Sequence, residues 1–224
     1  MFSYYFDPTY VLVIIAFLLT LFASMGVKST FSKYNDVRSS RGITAASAAR
    51  QILDANGLQN IRVEHVSGDL TDHYSPNENV IRLSDSTYNS TSVAAIGVAA
   101  HECGHAVQHQ VGYVPIKIRN GIVPIVNVCN TLSMPIFIIG LILGLGRLAM
   151  VGAVLVFQLV TLPTEINASR RAMKTLESMY LLEGDELTGA RKTLTAAAMT
   201  YVAAVASTAL QFLRLVLLAN RRRD

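Results

Sequence analysis

Four stretches of the 224-residue chain are nearly free of charge. Tyr10 to Val27 reads YVLVIIAFLLTLFASMGV, and Ile122 to Gly146 reads IVPIVNVCNTLSMPIFIIGLILGLG. Leu148 to Leu162 reads LAMVGAVLVFQLVTL, and Ala196 to Ala219 reads AAAMTYVAAVASTALQFLRLVLLA with Arg214 inside it. A membrane-spanning helix needs about 20 apolar residues, range ~17–25. The first two runs meet that length. The third is short unless it begins at Arg147, and the fourth is diluted by Ala, Thr and its arginine. Composition agrees: 51% of residues are hydrophobic and 15% are charged, against roughly 25% charged in soluble domains. The segment before the first run, MFSYYFDPTY, carries no positive charge, so that run reads as a retained anchor and not a cleaved signal peptide.

The net charge of +4 is distributed around these runs. Lys28, Lys33, Arg38 and Arg41 follow the first, Lys117 and Arg119 precede the second, and Arg170, Arg171 and Lys174 follow the third. Arg147 alone stands in the turn between the second and third. The positive-inside rule then places the loop from Lys28 to Asn120 in the cytoplasm. The tail Arg221-Arg222-Arg223 would fall outside with four spans; either the fourth run is re-entrant or the larger basic set decides. Membrane-flanking positions account for the basic charge, so no nucleic-acid partner is implied. The two cysteines, Cys103 and Cys129, do not suggest a disulfide framework.

Between the first and second runs lie a polar juxtamembrane linker (27–40), a helix opened by Thr44 and closed at Gly57, and strands at Ile61–Val66 and Val80–Leu83 separated by the turn SPNEN. Ser90 to Ser92 offer N-caps for a helix running to about Gln110. That helix holds three of the chain's five histidines, in AAHECGHAVQH. HECGH matches HExxH. Positions four apart share one helix face, so His101 and His105 can both reach one Zn²⁺, while Glu102 follows the first ligand and can act as general base on the water there. A satisfied core helix is the plain alternative, but two histidines and an acid on so apolar a face would cost several kcal/mol to bury unpaired. His109, about 12 Å from His101 along a continuous helix, reads as a non-ligand. Position 111, where a longer motif would place a third histidine, is Val111.

A hydrolytic zinc site usually has three protein ligands and one open position. His65, His73, His109 and the acids are candidates for the third. Glu165 stands out: Pro163 suits a first helical turn, and Glu165, Ala168, Ser169 and Ala172 then share one small-residue face that can dock closely. An acid that merely favours a helix N-terminus would explain Glu165, though not that face.

HECGH followed by EINASRRA resembles the glutamate-zincin membrane peptidases of the HtpX type. More closely, DHYSP with VIRLS, VAAHECGHAVQH and LPTEINASRRA resemble the bacterial YugP-like neutral zinc metallopeptidases over the full length of the chain. The resemblance implies His101, His105 and Glu165 as ligands of one Zn²⁺, with Glu102 as base. Ser169 stands where the HtpX type has an Asp that orients a ligand histidine, and Ser75 departs from the family's DHYDP. The resemblance also implies that a strand beside the active helix receives the substrate backbone by edge pairing, for which Val80, Ile81, Arg82 and Leu83 are the candidates. His73 and Tyr74 precede that strand and are candidates to stabilise an oxyanion, against a plain solvated turn.

The expected fold class is therefore mainly α: a multi-span membrane protein with a small β hairpin or sheet beside a zincin-type HExxH helix. Its expected organisation is an anchor (1–27), a cytoplasmic zincin-like catalytic region (28–120), a transmembrane hairpin (121–162), a helix carrying the third ligand (163–195), and a fourth apolar helix with a basic tail (196–224). The expected function is a zinc-dependent endopeptidase of the bacterial plasma membrane, in which Glu102 assists attack of zinc-bound water on a peptide carbonyl. Its partners would be a protein or peptide substrate, the lipid bilayer, and membrane partner proteins or further copies of the chain. Two rivals are an intramembrane-type metalloprotease and a non-catalytic zinc-binding scaffold. Gln108, His109 and Gln110, which end the apolar character of the motif helix, argue against the first. Glu102 argues against the second.

Overall fold

The computed structural model describes residues 7–131 and 146–221. Most of the second apolar run and the last tail arginines lie outside the described residues, so the hairpin expected over 121–162 is described only at its flanks. Among the described residues three helices are long and apolar enough to cross a membrane: α1 (Tyr10–Asn35), α5 (Gly146–Ser178) and α6 (Gly184–Arg221). The others are α2 (Ala45–Ala55), α3 (Val93–Gln110) and α4 (Val114–Thr131), with strands β1 (Arg62–His65), β2 (His73–Ser75) and β3 (Val80–Leu83).

The three long helices form a bundle with α6 packed against both α1 and α5. Phe17 and Phe22 of α1 are more than half exposed, and Ala16 is the only buried residue on that helix. An apolar surface so open suits lipid and not water. Tyr34 near the end of α1 packs on Gly189 near the start of α6, where a Cβ would come within 2.7 Å of the ring. At the other end Arg214 of α6 reaches Asp7, just before α1, at 3.7 Å. The two helices are therefore antiparallel. Arg214, the charge that weakened the fourth run as a span, also donates to the Thr9 hydroxyl (3.2 Å) and lies over the Tyr10 ring. The fourth run is thus an unbroken helix whose one internal charge is satisfied at the bundle end.

Two sequence expectations change here. The linker expected over 27–40 is helical to Asn35. Tertiary contacts hold its last turns: Tyr34 on Gly189, and the Ser92 hydroxyl donating to Asn35 Oδ1 at 2.9 Å. Pro163, expected to start a helix, lies inside α5. An internal proline removes one ladder hydrogen bond and costs about 3 kcal/mol. Hydroxyls bracket the gap, Thr161 donating to the Phe157 carbonyl (2.8 Å) and Thr164 to that of Val160 (3.3 Å). Docking of the following turns along α3 offsets the rest.

α3 is the hub of the layer at one end of the bundle, packing on α2, α5 and α6. Both α2 and α3 are capped as their sequences imply: the Thr44 hydroxyl accepts from Ser47 N (3.2 Å) and the Ser92 hydroxyl from Ala95 N (3.1 Å), each cap worth about 1 kcal/mol. Ala45, Ala48, Ala49, Ile52 and Leu53 form the buried face of α2 at helical spacing. Ile52, Leu53, Ile81, Leu83, Ile96 and Leu176 are nearly inaccessible, and burying such a side chain contributes about 1.5–3 kcal/mol.

The sheet has strand order β1-β3-β2. β3 runs parallel to β1, with Val63 opposite Ile81, and antiparallel to β2, with Tyr74 opposite Ile81. This corrects the expected edge strand. Val80, Ile81, Arg82 and Leu83 form the central strand, paired on both sides, and Val80, Ile81 and Leu83 are fully buried. A strand this apolar gains most between two partners. His73 and Tyr74, expected only to precede a strand, lie with Ser75 in β2, and β2 is the edge strand beside α3.

Candidate metal centre

Gly104 sets the position of the site. A Cβ there would lie 2.6 Å from the Ala168 carbonyl oxygen, so only glycine lets the backbones of α3 and α5 approach this closely. Ala168 and Ala172, both buried, complete the contact. With Ala168 against Gly104, Glu165 lies one turn earlier on α5 and faces His101 and His105. Glu165 Oε2 is 3.2 Å from His101 Nε2 and 3.5 Å from His105 Nε2, and one donor atom from each of the three residues lies within 4.8 Å of the others.

These spacings fit zinc. Bonds of about 2.0–2.1 Å in a tetrahedral site place neighbouring donors about 3.3 Å apart, close to both observed separations, and a His-His-Glu set suits Zn²⁺. The two Nδ1 atoms are already engaged. His105 Nδ1–H donates to Gln108 Oε1 at 3.0 Å, which leaves the Nε2 lone pair facing the centre, and His101 Nδ1 is 3.1 Å from the Ser169 hydroxyl. Such outer partners fix the tautomer and aim the ring. Burial alone would push the His105 imidazole down; the Glu165 hydrogen bond and the Glu102 charge outweigh it and raise its pKa.

Gln108 is fully buried, and its amide nitrogen donates to the Thr164 carbonyl (2.8 Å) and to Asn167 Oδ1 (3.0 Å). It therefore ties the orientation of His105 to α5. Its spacing of three residues from His105 on one helix was a usable sign. Arg119 and Tyr201 had none, because each arrives from a separate helix. Arg119 of α4 reaches Glu165 Oε1 at 3.2 Å, and its buried Nε has no hydrogen-bond partner among the described residues. Tyr201 of α6 lines the same cleft beside Glu165.

The cleft measures about 320 Å³. One wall is His101, Glu102 and His105; the opposite wall is Asp72, His73, Tyr74 and Pro76 around β2. Glu102, nearly buried, has no hydrogen-bond or ion-pair partner among the described residues, so its carboxylate is not committed elsewhere. Asp72 pins the β2 wall: it accepts from the Ser84 amide (2.8 Å) and hydroxyl (2.9 Å) and from the Thr87 hydroxyl (3.2 Å). His73 Nδ1 donates to the Thr71 carbonyl at 2.8 Å. Burial raises the Tyr74 phenol, which keeps it protonated as a donor. His109 is exposed and stands 3.5 Å from the Tyr74 hydroxyl, apart from the His-His-Glu group. Burial also pushes the Cys103 thiol up, which makes it a packing residue of α3 and no nucleophile.

Comparison with known proteins bears on this geometry. A family described as "Putative neutral zinc metallopeptidase" matches residues 9–220. The chain is 44% identical over 218 residues to "Putative membrane protease YugP" of Bacillus subtilis (strain 168), a match spanning 95% of this chain and 97% of that protein. No solved structure matches the chain.

Proposed function

The chain belongs to this family of neutral zinc metallopeptidases, and on that footing we propose that it is a membrane-anchored endopeptidase in which His101, His105 and Glu165 hold one zinc and Glu102 is the general base. The observation that carries the reading is the convergence of two imidazole Nε2 atoms and one Glu165 oxygen at near-tetrahedral spacing, beside an uncommitted carboxylate in an open cleft.

Zinc supplies Lewis acidity when bound, polarising a carbonyl and acidifying water. The chain's own groups do the remainder. Glu102 takes a proton from the attacking water as the new C–O bond forms, then passes it to the leaving amine as the peptide C–N bond breaks. Tyr74, held protonated, and His73 are the donors on the facing wall that can steady the carbonyl oxygen as its charge grows. The substrate is a protein or peptide segment. It would lie extended along the outer edge of β2, the strand that borders the cleft, and not along β3. The basic residues Lys28, Lys33, Arg170, Arg171 and Lys174 flank the spans on the side that holds the site, which favours a cytoplasmic active face.

The test uses full-length protein in detergent, assayed for zinc content and for cleavage of unfolded and membrane-protein substrates. Glu102→Gln should retain stoichiometric zinc and lose cleavage by at least the ~10²–10⁴-fold typical of a general base. A Glu102→Gln protein that cleaves at the wild-type rate would sink the assignment.

A further inference from the structure

The bundle end that carries the candidate metal centre also carries positive charge that the centre does not use. Lys33 on α1 and Arg191 and Lys192 on α6 line a cleft of about 470 Å³, with Ser29, Thr30 and Thr195 beside them. No carboxylate lines this cleft, and none of the three cations has an ion-pair partner among the described residues. Lys33 has only the face of the adjacent Tyr34 ring, 5.6 Å from its centroid. Arg191 also borders a second cleft, shared with Arg170 of α5. Like charges gathered in one concavity repel one another, so the cleft favours an anion. Hydroxyls of Ser29, Thr30 and Thr195 add donors suited to phosphate oxygens.

The surroundings say which kind of anion. At 1.5 Å per residue, Met25 lies about 12 Å from Lys33 along α1, and Met199 about 10 Å from Lys192 along α6. Both methionines are half exposed or more, and apolar side chains beyond them are also exposed, Phe22 and Leu18 on α1 and Leu213 and Leu217 on α6. A charged cleft thus opens directly above two lipid-facing helix surfaces, the arrangement that takes an anionic headgroup with its chains below. We propose that the α1–α6 cleft binds the phosphate of an anionic membrane phospholipid, whose acyl chains lie against α1 and α6. This site is independent of the zinc assignment, since none of its residues touches His101, His105 or Glu165.

The experiment is native mass spectrometry and thermal unfolding of the full-length protein in neutral detergent. Phosphatidylglycerol, phosphatidylcholine, inorganic phosphate and glycerol phosphate are each added separately. Phosphatidylglycerol should bind and raise the unfolding midpoint. Lys33→Gln/Arg191→Gln/Lys192→Gln should weaken its binding on the order of 100-fold, at roughly fivefold per charge, with zinc content unchanged. Lys192→Gln alone should give about a fivefold loss, which keeps the test available if the triple variant does not fold. Arg62→Gln, on β1 away from the bundle, should bind as wild type does. Equal binding of phosphatidylcholine overturns the proposal. So does an equal midpoint shift from inorganic or glycerol phosphate, which would make the site one for a soluble anion, and so does unchanged binding in both cleft variants.

Discussion

The bundle carries an arginine–carboxylate pair at each end. At one end Arg214 and Arg221 approach Asp7 at 3.7 and 3.3 Å. At the other Arg119 approaches Glu165 at 3.2 Å. The contacts are alike, and the charge around them is not. Asp7 faces two arginines and accepts from the Thr9 hydroxyl (2.7 Å) and amide (3.0 Å), so its end is over-neutralised and has no room for another cation. Glu165 faces one arginine, with Glu102 in the same cleft and two imidazoles on its second oxygen. The two carboxylates outweigh the one arginine there, so that end keeps negative charge among donor atoms at spacings that suit zinc. One pair fastens two helices, while the other stands in a group of donor atoms whose charge and spacing suit a divalent cation.

Removing the two carboxylates should therefore have very different effects. Glu165→Ala should abolish zinc retention and reduce hydrolysis by more than about 100-fold, the upper range for the outer partners of metal ligands. Asp7→Ala should leave both unchanged. Zinc analysis after dialysis, run beside the cleavage assay, reads both variants. A Glu165→Ala protein that holds stoichiometric zinc removes Glu165 from the ligand set and undoes the contrast.

Arg119 gives a smaller and finer test. It occupies Glu165 Oε1 and so leaves Oε2 to the histidine side. Arg119→Met keeps the bulk and removes the charge. Zinc affinity or activity should fall by about 10–100-fold, the range for partners that orient a ligand. Arg119→Lys should recover part of it, since a lysine keeps the charge without the planar fork. If Arg119→Met holds zinc as tightly as wild type, the arginine neutralises the carboxylate without positioning it.

How much of this could be read from sequence follows from how local each feature is. HECGH puts His101, Glu102 and His105 on one helix, where spacing alone decides which side chains meet. Glu165 was readable because its small-residue face names a docking surface, and Gly104 supplies the matching recess. Arg119 and Tyr201 come from helices whose approach to the site depends on the packing of the whole bundle. No local pattern marks them. The small sheet was legible but its edge was not, for a related reason: β3 pairs in parallel with β1 across a crossover and antiparallel with β2, and a strand's own residues show that it exists without showing its neighbours. Pro163 suits a first turn by its residue type, yet the helix runs through it, because Thr161 and Thr164 beside it carry hydroxyls that bond back to the preceding turn.

The smallest effect belongs to Asp7, and pH separates it from other causes. Hydrogen bonds from the Thr9 hydroxyl and amide, and then the charges of Arg221 and Arg214, hold its pKa below the ordinary aspartate value. A carboxyl depressed on folding contributes stability above its unfolded pKa, about 3.9, and that contribution disappears as pH falls through the lower folded pKa. Asp7→Asn should thus unfold slightly earlier than wild type at neutral pH. The gap should close as the solution is acidified below the unfolded value. Asp7 is only partly buried, so salt should narrow the gap as well. Thermal midpoints of the two proteins in neutral detergent, taken from pH 7 to pH 3 at low and high salt, measure it directly. A gap that persists unchanged in acid would mean that Asp7 joins α1 to α6 through the geometry of its hydrogen bonds with no help from its charge, and the two ends of the bundle would then differ in kind and not only in charge balance.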